Sequence, residues 1–457
     1  MKKIVFFPIE LKSRELRPRL LMSLFALKKN YACFIGSKQG IFRATRHFSP
    51  GAYFYKSMNH TDFDHIKKIK KLKNNYFVID EEGGFQYSSS KQLNKFITIR
   101  SSKKNVELID RFFSWGKFDF EEWKKRYNSN SKKFKLLGSP RIDFWRDEII
   151  TKIYKKELNL IKNKFKENIV LVISSFVTSK KELNKSLKNF EYWFKFRNKK
   201  EKKNQIKQKK SDYRFFKNYL KMIFYVSKNN PNLNFVIRPH PNENINDWKQ
   251  SIRKMPKNVY VDKNYDVTPW IYVSKYVIHN SSAVGMQTSA MKKNLITYRP
   301  KGFLYDRNFT NKLGIVVNSK YKLNKILRLD MKLNKVKLSN YKTLKKRFYN
   351  LGEKNFVSKK IIDEINYTHN FKSNINIFKF LILSTSYKFK DSIYSLLNMF
   401  IKSKKKQPHT SRSFFEKMSG GIKKEEILRF FKTMNNYNFD IKIIKFCNNC
   451  YFIYRKK

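Results

Sequence analysis

Residues 276–300, YVIHNSSAVGMQTSAMKKNLITYRP, constrain the fold more than any other stretch. They read as a short β-rich run, a polar turn, a helix over 283–293 and a second strand over 295–298. Asn280, Ser281 and Ser282 are strong N-cap types. Val284, Met286 and Ala290 follow without a proline, and Asn294 closes the run. A strand–turn–helix–strand unit this short belongs in a parallel α/β sheet, where ligands bind beyond the C-terminal ends of the strands. Two hydroxyls at a helix start, with free N–H groups and the positive end of the dipole, form an anion site. The same serines equally serve as an ordinary cap, and this stretch alone leaves both readings open.

A second strand end has similar chemistry. Residues 234–241, NFVIRPHP, read as a buried strand that stops at Arg238-Pro239-His240-Pro241. The two prolines forbid further ladder bonds and stiffen the exit. They hold His240 beside Arg238, one fixed charge next to one group that can donate a proton, which suits a phosphate. His279, at the end of the 276–279 run, is either a further site residue or a buried, hydrogen-bonded strand histidine.

The remaining chain alternates in the same way. Strand runs are expected at 4–9, 31–36, 52–55, 76–79, 96–99, 111–115 and 134–137, with helices over 13–29, 61–73 and 120–127. A helix over 144–165 leads to the apolar run 168–176, and 211–230 is a further helix. The predicted fold is α/β: two doubly wound Rossmann-like domains facing a cleft, with a basic C-terminal extension. The expected boundaries are 1–145, 146–365 with a Lys-rich insertion at 195–210, and 366–457. That insertion reads as a solvated, mobile charge run. Cys447-Asn448-Asn449-Cys450 reads as a hairpin turn, because Asn tolerates positive φ. As a zinc site it lacks a second ligand pair.

Asp80-Glu81-Glu82-Gly83-Gly84 follows the 76–79 run directly. Adjacent carboxylates at a strand end repel one another and raise a pKa, which suits a general base. The glycines allow close backbone approach. A solvated turn has the same composition.

Charge bounds the partners. The chain has 101 Lys+Arg against 35 Asp+Glu, a net +66. Abundant Lys, Asn, Ile and Phe together point to biased coding for part of this, yet such a surface still attracts polyanions. Three cysteines fit a reducing cytoplasm. The opening lacks the h-region of a signal peptide, and no stretch approaches the ~18–20 apolar residues of a membrane span. A cytoplasmic protein, peripheral on the inner membrane face, is expected. The basic segment 375–406 is a candidate for an anionic membrane surface; helices wrapping the domains are the alternative. No specific nucleic acid is expected.

Glu81-Glu82-Gly83, His240-Pro241 and Ser281-Ser282 resemble, in order and domain, the D/E-D/E-G, HP and S-S/T motifs of bacterial GT-B sialyltransferases. The layout also resembles bacterial surface carbohydrate biosynthesis proteins of the capsule and lipopolysaccharide type. There the matching features are Pro8-Ile9-Glu10 with Arg14-Glu15-Leu16, the 80–83 acids, the 138–141 GSPR turn, and the two stretches above. The match covers about residues 1–320. It implies a glycosyltransferase that inverts, needs no metal or cofactor, and takes a nucleotide-sugar donor, most like a CMP-linked nonulosonate or Kdo. The acceptor would be a glycan or a lipid-linked glycan. By the same resemblance Glu81 is the base, His240 touches the donor phosphate and assists its departure, and Ser281 and Ser282 hold that phosphate. Arg238 is a further phosphate contact on physical grounds. Glu82, Gly83, Asp80 and His279 support the site, and Glu10 and Arg14 stand on the acceptor side. Alternatives are a teichoic-acid-type polyol-phosphate transferase, a nucleotide-sugar 2-epimerase, or a non-catalytic protein that binds RNA or anionic lipid.

Overall fold

The computed structural model describes residues 3–81, 83, 89–166, 168–174, 183–184, 199–240, 243–300, 309–331, 333–368, 375–400, 418, 420–434 and 440–456. It separates into two compact units. The first combines residues from 1–84, 90–153 and 345–457, and the second takes 85–89 and 154–344.

The first unit is built on an eight-stranded sheet. In chain order its strands are β1 (Lys3–Ile9), β2 (Tyr31–Ser37), β3 (Ala52–Tyr55), β4 (Asn75–Ile79), β5 (Arg111–Ser114), β6 (Phe134–Leu136) and, from the far end of the chain, β13 (Ile441–Cys447) and β14 (Cys450–Arg455). The order across the sheet is β13-β14-β2-β1-β3-β4-β5-β6. β1 to β6 pair in parallel, and only the terminal hairpin runs antiparallel. Ile4, Val5, Phe6 and Phe7 are all buried, the continuous apolar run expected of a strand covered on both faces.

The second unit has six parallel strands: β7 (Ile169–Ile173), β8 (Asn234–Arg238), β9 (Val259–Val261), β10 (Tyr276–His279), β11 (Leu295–Tyr298) and β12 (Ile315–Val317). Read across, they run β9-β8-β7-β10-β11-β12. This is the 3-2-1-4-5-6 order of a doubly wound nucleotide-binding sheet. Its core joins these strands to the helix Lys199–Lys228 through Phe215, Phe216, Tyr219, Met222 and Ile223.

Four expectations need correction. Residues 96–99 are not a strand; they close the helix Ser90–Arg100, where Leu93 and Ile97 are buried at helical spacing. The expected helix over 144–165 is a short 3-10 turn, Pro140–Trp145, and two helices, Asp147–Ile153 and Lys155–Phe165, broken where the two units divide. The 199–210 part of the Lys-rich insertion is the start of the long helix Lys199–Lys228; 195–198 lies outside the described residues. The boundary at 365 and the separate extension also give way. Residues from 345 onward join the first unit. Asp143 accepts the amides of Val357 and Ser358, each at 2.9 Å, at the start of the helix Val357–Thr368. β14 pairs with β2, Cys450 opposite Gly36 through Ile453 opposite Cys33, and so covers an edge that would otherwise bare its amides. The turn is as expected: Asn449 takes φ 54°. Among the described residues no helix is long and apolar enough to cross a membrane.

Candidate functional site

In the second sheet the strand order turns back between β7 and β10. Ligands of open α/β sheets bind beyond the strand ends at such a switch. The residues that end these strands are Ser174 after β7 and His279-Asn280-Ser281-Ser282 after β10. β8, on the other side of β7, ends at Arg238, opposite Ile173. The two stretches singled out from sequence therefore stand at one sheet edge, on the two strands that flank β7.

Glu243 ties this edge together. It is buried, and its Oε2 accepts the Ser174 hydroxyl, the Trp248 indole N–H at 2.8 Å and the His240 amide at 3.2 Å. Lys263 Nζ donates to its carbonyl at 2.5 Å, and the Glu243 amide donates to His240 O at 2.8 Å. A buried carboxylate demands such donors. The backbone of His240 is thus fixed. Loss of solvent around the ring, with the Lys263 charge second, holds its pKa below the ordinary value. A neutral imidazole that can donate from nitrogen results.

Arg238, the expected phosphate contact, is also bonded to the loop that follows β9. Its Nη1 donates to Asn264 O at 2.7 Å, its Nη2 donates to Tyr265 O, and its guanidinium lies 6.0 Å from the Trp270 ring centre. Burial lowers its pKa to about 10, against the pull of Asp266 and Asp262. Two N–H groups of the fork brace the loop after β9, where Tyr265 takes φ 63°.

The β10 end is organised from beneath. His279 is fully buried. Thr297 donates its hydroxyl to Leu313 O at 2.6 Å, so it accepts from His279 Nε2 at 2.8 Å. This leaves Nδ1 to accept the Ser282 amide at 3.4 Å. Burial, and Arg299 after it, lower the His279 pKa to about 3. A Cβ on Gly285 would come within 2.6 Å of His279 Cε1, so the helix can pass over the ring only with glycine there. Ser281 adopts φ 53°. Asn311 holds it by both groups, accepting its amide at 2.9 Å and donating to its Oγ at 2.7 Å. Neither serine is the formal N-cap of the helix, which runs Val284–Ala290 behind Ala283. Ser282 Oγ accepts the Val284 amide at 3.2 Å and keeps its O–H to donate.

The first sheet has its own switch between β1 and β3. Glu10 follows β1 and Lys56 follows β3, and their side chains pair at 2.5 Å. Glu15, buried in the first turn of the helix Lys12–Lys28, accepts the Glu10 amide at 2.8 Å and Arg14 Nη2 at 2.9 Å. At the end of β4, Asp80 pairs with Arg100 at 3.3 Å, and its carbonyl accepts the Trp115 indole N–H at 2.5 Å. Glu81 is buried and its Oε1 pairs with Arg19 Nη2 at 3.0 Å. Its Oε2 is buried with no hydrogen-bond partner among the described residues. Burial pushes its pKa up; Arg19 opposes this and Glu15 adds to it. Arg141 of the GSPR turn donates to Glu81 O at 3.3 Å. Gly83 is needed for packing, since a Cβ would meet Trp115 Cδ1 at 2.6 Å. Glu82, Gly84, Ser175, Phe176 and Pro241 lie outside the described residues.

Glu243, Arg19 and Asn311 escaped the sequence reading. Glu243 had one local signal, an acid two residues beyond the second proline. Arg19 had another, a charge within the apolar stripe of Leu16, Leu20 and Leu24.

No protein-family model matches the chain, and no curated protein does. Among solved structures, it is similar to the UDP-GlcNAc 2-epimerase of Neisseria meningitidis bound to UDP-GlcNAc, with TM-score 0.50 and 14% identity over 80% of this chain and 100% of that one. The UDP-GlcNAc 2-epimerase of Methanocaldococcus jannaschii gives TM-score 0.48 at 14% identity, over 80% and 100% of the two chains. A variant of the wall teichoic acid polymerase TagF gives 0.49 at 14%, over 80% and 89%. The fold is that of the GT-B class, two Rossmann-like α/β units.

Proposed function

We propose that this chain is a glycosyltransferase of surface polysaccharide biosynthesis. It moves a sugar, best matched by a CMP-linked acidic sugar, from a nucleotide donor to a glycan or lipid-linked acceptor with inversion. The observation that carries this reading is the edge of the second sheet. There a backbone-locked, neutral His240 and the donating hydroxyl of Ser282 flank a topological switch. Both suit an anionic phosphate. An arriving phosphate favours the imidazolium form of His240. The ring can then pass its proton to the phosphate oxygen as the bond to the sugar breaks and the nucleotide leaves. Ser281 and Arg238 contact the same phosphate, and Glu243 and His279 position these groups.

Glu81 takes the acceptor proton as the acceptor oxygen attacks the anomeric carbon. Its raised pKa and its unengaged Oε2 support that role. Asp80 and Glu82 are its neighbours, and Glu10 and Arg14 serve the acceptor.

A second reading follows from the likeness to the Neisseria structure, whose ligand is UDP-GlcNAc. Donor screening tests both. The full chain is mixed in turn with CMP-linked, CDP-linked and UDP-linked donors, and the released nucleotide is identified. CMP release from a CMP-linked acidic sugar supports the proposal. Conversion of UDP-GlcNAc to its C2 epimer, free or still UDP-linked, replaces it with an epimerase, and CMP with transfer of a polyol phosphate replaces it with a polymerase-type enzyme. The productive nucleotide should also raise the melting temperature, by ~2.7 kcal/mol of added stability at ~100 times its Kd.

A further inference from the structure

The helix Ile377–Phe400 rests on the first sheet by one stripe. Phe380 packs against Phe34, Phe48, Phe446 and Phe452. Ser384 Oγ donates to Lys445 O at 3.0 Å, and Tyr387 OH meets His47 Nε2 at 2.9 Å. Asp391 accepts Arg43 Nη1 at 2.7 Å and the Asn448 amide at 2.9 Å. These positions advance by four, three and four residues, as one helical face must.

The other face is not the polar one that a surface helix normally shows to water. Phe378, Leu381, Ile382 and Phe389 are 73%, 50%, 55% and 68% exposed. At about 100° per residue, Phe378, Ile382, Phe389 and Ile393 form a ridge opposite the buried stripe. Lys388 flanks it on one side and Lys379 and Lys390 on the other, all three exposed. Asp391 is the one acid in this helix, and it is turned inward to Arg43. The outward face therefore offers apolar groups, with the small hydroxyls of Thr385, Ser386 and Ser392 among them, flanked by cations on both sides.

From this we infer that the outward face of the 377–400 helix docks on an anionic phospholipid bilayer, independently of the enzymatic reading. The ridge enters the boundary between headgroups and acyl chains, and the lysine stems reach back to the lipid phosphates. A second copy of the chain is a poorer occupant, because it would set the same lysines against each other in a molecule of net charge +66.

The test is flotation of the full chain with phosphatidylcholine vesicles, with and without phosphatidylglycerol. Partitioning onto the anionic vesicles should exceed that onto the neutral ones and fall with added salt. Combining Phe378→Ser, Ile382→Ser and Phe389→Ser should lower it about a hundredfold. Combining Lys379→Gln, Lys388→Gln and Lys390→Gln should lower it roughly fivefold per charge, on anionic vesicles only. All six side chains are exposed, so both variants should keep the wild-type melting temperature. Undiminished partitioning of a well-folded serine variant overturns the inference, as does equal binding of the wild type to both vesicle types. A dimer in light scattering that the serine variant abolishes, with no vesicle binding, assigns the face to a second copy instead.

Discussion

The two sheet edges solve the same problem by different means. At the edge of the first sheet, charge is met by charge: Arg19 with Glu81, Arg14 with Glu15, Lys56 with Glu10, Arg100 with Asp80. At the edge of the second, the named groups are met mostly by neutral donors and acceptors. Ser174, Trp248 and a backbone amide converge on Glu243, Asn311 holds Ser281, and His279 accepts the Ser282 amide. A charge network sets proton affinity and suits a base. A network of neutral hydrogen bonds sets geometry and suits a group that must be aimed at a ligand.

Four changes break or sharpen this contrast. The largest effect is expected from Glu81→Gln, which keeps shape and removes the proton acceptor. Turnover should fall by ~100- to 10,000-fold with donor affinity nearly intact, as read from steady-state kinetics beside calorimetric nucleotide titration. An active Glu81→Gln enzyme would end the assignment of Glu81 as base. Next is Arg19→Ala, which leaves Glu81 buried without its counter-charge. It should cost ~3–5 kcal/mol in denaturant unfolding, whereas Arg19→Met combined with Glu81→Met should recover most of that. Equal losses in the single and the double variant would show that the pair is held by packing rather than by charge.

On the second sheet, Ser282→Ala removes one donor to a charged phosphate, ~1.5–3 kcal/mol, or roughly ten- to a hundredfold in donor affinity. A serine acting only through the Val284 amide would instead cost ~1 kcal/mol of stability and no affinity.

The smallest effect is one that both units share. Burial lowers His279 and His65 to about 3. Their depressed folded values mean that the unfolded chain binds more protons between about 3 and the ordinary 6.5. Stability is therefore present above about 6.5 and is lost as pH falls toward 3. Each histidine should cost about 1 kcal/mol between pH 7 and 5.5. His279→Asn should flatten the measured slope by one such share, and an unchanged slope would mean that His279 titrates normally.

What was legible follows the same division. Strand ends are written locally, so RPHP and HNSS could be placed on one edge from periodicity and capping types alone. Partners are not local. The loop contacts of Arg238 could not be read, because nothing near it in the sequence marks the carbonyls of Asn264 and Tyr265 as its acceptors. Glu243 reads as one acid in a loop, since its Ser174 donor lies 69 residues away. Residues 96–99 read as a strand because Phe, Ile, Thr and Ile suit one, while the burial of Leu93 and Ile97 on one helical face shows only after folding. The 448–449 turn was legible from its two asparagines, but nothing in the hairpin announces Cys33 to Gly36 as its mate.

The β2–β14 pairing has a consequence for how the chain is made. The second unit lies within one continuous stretch, apart from a short piece at 85–89, and can condense as soon as it leaves the ribosome. The first cannot. Its β2 edge waits through the synthesis of more than four hundred residues before Cys450–Arg455 appears to cover it. Contacts of such long sequence separation are slow to form, and a bare strand edge is a template for pairing with other chains. A nascent or truncated chain that stops short of β14 should therefore aggregate while its second unit is already native.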